Sequence, residues 1–153
     1  MNRSMLAAAS ALALLWSVGL ASAQQFGTAA EARAMLDRAV AALKVDEAMA
    51  LAAFNDKSNK QFRQGDLYVF CINMSDGRLT AHPNPALIGT DFRTRKRNDD
   101  PYGQRIYDAL KGSGGGVVTV TYSAPKPGTS VPVPKESFLA RVGEQGCGVG
   151  YYK

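Results

Sequence analysis

His82 is the only histidine in the chain and stands in His82-Pro83-Asn84-Pro85, just after an apolar, turn-punctuated stretch. An imidazole can serve as general base, metal ligand or directional hydrogen-bond donor, and its neighbours decide which. No HxH, HExxH or CxxC spacing surrounds it, so the sequence supports no metal site. As the base of a nucleophile it would need a nearby Ser or Cys and an orienting acid, and no G-x-S-x-G elbow occurs. Lys135 is the second candidate, placed between a proline-rich loop and a strand-like segment. If the two converge on one apolar sheet face, the amine supplies a point charge and the imidazole a directional donor, together a carboxylate site. The plainer alternatives are a strand-end histidine satisfied by backbone and an ordinary surface lysine.

Other polar clusters carry less. Gly112-Ser113-Gly114-Gly115-Gly116 lacks the Gly-Lys-Ser/Thr ending of a phosphate loop, and reads as a flexible turn. Gly143, Gly146 and Gly148 fall near a dinucleotide pattern without its strand–turn–helix context. Gly146, Gly148 and Gly150 instead share one face of a strand, where another element or a ligand can approach the backbone. Asp76, Asp99 and Asp100 read as solvated loop acids, not as a hydrolytic carboxylate pair. The basic run Arg93 to Arg97 is short, followed by acids and free of interleaved aromatics, which argues against a nucleic-acid partner.

The elements that must position these residues are legible in order. Thr28-Ala-Ala-Glu31 has the form of a capping box. Ala32, Met35, Leu36, Ala39, Val40 and Leu43 then form one stripe of an amphipathic helix. Asp46 caps a second helix running to about Phe54, with Met49, Leu51 and Phe54 as its bulky apolar residues. Residues 55–65 read as a polar turn. Leu67 to Ile72 is a strand, Asp76-Gly77 a hairpin turn, and Arg78 to His82 a second strand ending at Pro83. Pro101 to Leu110 forms a short helix. Val117 to Tyr122, Ser137 to Val142 and Cys147 to Tyr152 complete five strands, with residues 125–134 an exposed proline-rich loop. The result is an α+β domain with a five-stranded antiparallel sheet.

Arg3, the apolar run from Met5 to Leu20 and Ala21-Ser22-Ala23 have the form of a secretory signal peptide cleaved after Ala23, the alternative being an uncleaved anchor. The formal net charge is +5, and losing Arg3 with the leader lowers it to +4. Residues 24–153 suit a single domain with one core. In an oxidising compartment Cys71 and Cys147 either form a disulfide or remain buried thiols.

The chain resembles the single Cache domains of type 2, extracytoplasmic sensor modules with a PAS-like fold. The resemblance spans Glu31 to Tyr152 and rests on Ala48 to Asn55, Asp66-Leu-Tyr-Val-Phe70, Asp76-Gly77, Ala81-His-Pro-Asn84 and Ile88-Gly89 with Asp91. It continues in Gly116-x-Val118, Pro134-Lys135-x-Ser137-Phe138, Arg141-Val142 and Gly148-Val-Gly-Tyr151. It implies a long N-terminal helix, neighbouring first and last strands, and hence a Cys71–Cys147 bridge. It also implies a pocket for small organic acids over the sheet, with Tyr68, Phe70, His82, Lys135 and Phe138 as pocket positions. Where the family places Gly-Trp-Val-x-Tyr-x-Trp, this chain has Val117, Val120 and Tyr122, so Tyr122 joins the expected wall and the wall is thinner. The chain ends at Lys153, which gives the expectation of a free-standing periplasmic version.

The expected function is therefore an exported, non-enzymatic carboxylate-binding domain without a cofactor, which presents its occupied state to a membrane partner. Two alternatives stand beside it: a small exported enzyme using His82 as general base, and an accessory subunit with a vestigial pocket.

Overall fold

A computed structural model describes residues 26–153, and the leader assigned to residues 1–23 lies outside the described residues. Helix α1 spans Ala29–Val45 and opens on the expected capping box. The Thr28 hydroxyl accepts from the Glu31 N–H at 3.2 Å, and the Glu31 carboxylate accepts from the Thr28 N–H at 2.8 Å. Its buried stripe is Ala32, Met35, Leu36, Ala39 and Leu43. Helix α2, Glu47–Asn55, starts on Asp46, whose side chain accepts from the Met49 N–H. Its buried face is Ala50 and Phe54, one turn apart. Met49, expected to add apolar bulk to this helix, is 71% exposed because it precedes Ala50 by one 100° step and points away from the sheet.

The strands are β1 Arg63–Gln64, β2 Leu67–Asn73, β3 Leu79–Ala81, β4 Val118–Pro125, β5 Pro132–Val142 and β6 Gln145–Tyr152. All pairings are antiparallel, in the order β1-β2-β6-β5-β4, with β3 beside the second half of β2. Six strands replace the expected five because Arg63–Gln64, in the polar segment, turns back onto the start of β2. The last strand lies against the first long one, so Cys71 faces Cys147 across β2 and β6 and the two form a disulfide.

The proline-rich segment is shorter as a loop than expected, since β4 reaches Pro125 and β5 begins at Pro132. The Pro134 carbonyl accepts from the Lys153 N–H, so Pro134 faces the side on which β6 has just ended. A missing donor is tolerated there.

Side-chain alternation divides the sheet into two faces. Leu67, Val69, Cys71, Cys147 and Val149 meet α1 and α2 on one face. Phe70, Ile72, Val120 and Leu139 meet Ile106 and Leu110 of α3, Tyr102–Gly112, on the other. Along β6 the second face carries Gly146, Gly148 and Gly150, which lets large side chains from β2, β4, β5 and α3 cross over this central strand. A Cβ on Gly148 would stand 2.6 Å from both Leu139 and the Phe70 ring.

Candidate functional site

Beyond α3 the second face is open, and there lies a cavity of about 250 Å³. Tyr68 and Phe70 of β2, Lys135 of β5, Tyr122 of β4 and His82 just past β3 all line it. Register explains the convergence. Tyr122 pairs with Lys135 and Lys135 with Tyr152, so all three side chains rise from one row of the sheet. Phe138 is an odd number of residues from Lys135 along β5 and therefore points to the opposite face. It stacks on Tyr151 and packs against the α1 side. The structure thus brings five of the six expected pocket residues together and places Phe138 elsewhere.

Lys135 is 5% exposed, and its ammonium makes no hydrogen bond or ion pair with a described residue. Its ammonium instead sits 4.6 Å from the Tyr152 ring centroid and 5.1 Å from that of Tyr68. Such contacts stabilise a cation by about 1–2 kcal/mol, less than the cost of removing it from water. Burial accordingly lowers the amine from its ordinary 10.5 to about 8, with the charge of Asp66 opposing the shift. Space for the lysine stem comes from Gly150, where an added Cβ would lie 2.7 Å from Lys135 Cε and 2.8 Å from Ser137 Oγ.

His82 is held on two sides. Its N–H donates to Asn55 Oδ1 at 3.1 Å, and its Nδ1 accepts from the Asn84 N–H at 3.0 Å. The proton therefore resides on Nε2, leaving a neutral donor. Burial first, then the charges of Arg95 and Lys135, lower His82 to about 4, so the ring is uncharged at neutral pH. Tyr68 meets the imidazole edge-on, with centroids 5.5 Å apart. Burial pushes the Tyr68 hydroxyl up to about 12, which keeps it a donor. The Tyr122 hydroxyl is raised for the same reason and lies 3.1 Å from Ser137 Oγ.

Phe92, Arg97, Tyr102, Ala124, Pro125 and Tyr152 complete the lining. Sequence reasoning missed all six. Tyr152 shares the parity of the glycine face and could have been found from it. Tyr102 stacks on Tyr122 with centroids 5.1 Å apart, so α3 supplies part of the aromatic wall that the strand lacks. Among the described residues no Asp, Glu, Ser, Thr or Cys lines the cavity, and both cysteines are joined to each other. The arrangement is an aromatic chamber with two cations and several unengaged donors, the complement of a small anion with an apolar body.

The family model of single Cache domain 2 matches residues 20–151. The chain belongs to that family. A periplasmic sensor domain of a chemotaxis protein superposes with a TM-score of 0.58 at 27% identity, over 78% of this chain and 86% of that one. A methyl-accepting chemotaxis protein from Vibrio parahaemolyticus gives 0.63 at 20% identity, over 80% and 86%. A Cache chemosensory domain described for its carboxylic acid recognition gives 0.56 at 24% identity, over 77% and 83%. No curated protein is significantly similar. The PAS-like architecture of this Cache domain is thus that of periplasmic chemotaxis sensors, and its family is one of small-molecule sensing. Among the described residues no helix is long and apolar enough to cross a membrane.

The glycine beneath the lysine of this Cache domain yields a first prediction. Gly150→Ala will displace the Lys135 stem and weaken ligand binding about tenfold, while the melting temperature falls by only a few degrees. Calorimetric titration beside a melting curve tests this, and unchanged affinity would show that the lysine does not need that space.

Proposed function

We propose that this Cache domain binds a small carboxylate in the chamber and presents the occupied state, on the periplasmic side, to a membrane-bound partner. The observation that carries the reading is Lys135, a buried ammonium with no acid beside it, among unengaged hydrogen-bond donors. A carboxylate meeting Lys135 would also reach the Tyr68 hydroxyl and the His82 Nε2–H, with its carbon chain against Phe70, Phe92 and Tyr102. Charge-assisted bonds of this kind are about twice as strong as neutral ones, and stronger still at a low local dielectric. Binding rather than catalysis is favoured by the lining, which among the described residues offers His82 no serine or threonine hydroxyl and no thiol to activate. A vestigial pocket is disfavoured by a chamber that is neither filled nor apolar.

The pH dependence tests the reading, because the same amine governs two quantities in opposite directions. The folded value of Lys135 is about 8 against an ordinary 10.5, so between these limits the unfolded chain binds more protons. Stability of the unliganded domain therefore rises as pH climbs through this window. Carboxylate affinity needs the charged amine and falls through it, about tenfold per unit above pH 8. Calorimetry with acetate, propionate and butyrate from pH 6 to pH 10, beside melting curves, measures both. Affinity that stays flat to pH 10 would mean that Lys135 does not hold the ligand.

A further inference from the structure

Arg97 shares the cavity with Lys135 but comes from a different element, the loop before α3. Its backbone is fixed by a tight turn, in which the Arg97 and Asp100 N–H groups each donate to the other residue's carbonyl at 3.0 Å. The acids of this region are committed to other arginines. Asp91 accepts from Arg93 at 2.9 and 2.6 Å, and Asp100 from Arg105 at 2.9 Å twice. Asp99 is exposed and makes no ion pair with a described residue. Arg97 is left with no carboxylate, and its Nε is buried without an acceptor. A planar guanidinium that lines the chamber without a carboxylate of its own is built to take an anion in bidentate fashion.

The chamber therefore holds two cations, from two elements, and no acid. A monocarboxylate would neutralise one of them. We propose that the preferred ligand is a short dicarboxylate, one carboxylate held by Lys135 with Tyr68 and His82, the other by Arg97. This rests on the carboxylate reading above and narrows it. The volume is compatible, since about 250 Å³ corresponds to roughly eight water molecules at liquid density, enough for a compact diacid. The aromatic side chains of the same lining would pack against the short methylene bridge.

Calorimetric titration of the domain at fixed ionic strength, with succinate against butyrate and glutarate against valerate, tests the inference at constant carbon number. Each diacid is expected to bind the wild type at least tenfold tighter than its monoacid. Arg97→Gln is expected to erase that preference, with diacid affinity falling at least tenfold further than monoacid affinity. Arg97→Lys, which keeps the charge but loses the fork, is expected to fall between them and covers the case in which Arg97→Gln does not fold. Equal or tighter binding of monoacids by the wild type, or a diacid preference that survives both substitutions, overturns the inference and leaves the carboxylate site standing. Binding of neither class overturns both.

Discussion

Lys135→Met will cost this domain about a hundredfold or more in carboxylate affinity, while its melting temperature stays level or rises. The two outcomes have one cause. Lys135 is 5% exposed, its ammonium has no ion-pair partner among the described residues, and it is compensated by two aromatic rings and the more distant charge of Asp66. Replacing such a charge with an apolar side chain of similar length removes a desolvation cost, and comparable replacements of buried ionic groups are neutral or stabilising by about 1–4 kcal/mol. The ligand loses its main counter-charge at the same time, a loss typically worth about 2–5 kcal/mol when an ion pair is desolvated. Few residues separate function from stability in this way, because a side chain kept only for packing lowers stability when removed. Calorimetry and a melting curve on the same preparation measure both. A lower melting temperature with unchanged affinity would make Lys135 a structural residue.

The second large effect concerns the bridge between β2 and β6. Cys71 and Cys147 are 76 residues apart, both fully buried, and join strands that supply the chamber with Tyr68, Phe70 and Tyr152. Closing a loop of that length removes enough freedom from the unfolded chain to stabilise the fold by about 4 kcal/mol. The double replacement Cys71→Ala with Cys147→Ala will lower the melting temperature by roughly 10–15 °C. Reducing the wild type should give a similar drop. The ligand site should survive below the new transition, since β2 and β6 remain paired by backbone over five registered positions. A shift of only a degree or two would show that the reduced chain keeps the two strands together in its unfolded state.

Much of this was legible in the sequence, for reasons that differ between elements. The capping box at Thr28 and Glu31 and the cap at Asp46 are local chemistry, and both helices start there. His82 and Lys135 were reached from their own place in the sequence, and Tyr68, Phe70 and Tyr122 through motif resemblance; all five line one chamber. Phe138 failed because a motif names residues without their parity, and one residue's step along β5 sends a side chain to the other face. Arg97 was hidden among the cations of its run, and only the tight turn with Asp100 aims it at the chamber. Tyr102 lies in the segment read only as a short helix, and its ring stacks on Tyr122 through a contact set by tertiary packing alone. The short β1 carries no periodic signal at two residues.

The central claim is that charge, carried by Lys135 and met by a carboxylate, selects the ligand of this chamber. The most direct measurement is a thermal-shift comparison of acids with their amides: acetate with acetamide, propionate with propionamide, succinate with succinamide. The pairs match in size and differ in charge. At about a hundred times the dissociation constant a bound acid should stabilise the domain by about 2.7 kcal/mol and raise its melting temperature by several degrees. The account predicts shifts with acids, none with amides, and none with either in Lys135→Met. Equal shifts from an acid and its amide, or acid shifts that persist in Lys135→Met, would contradict it.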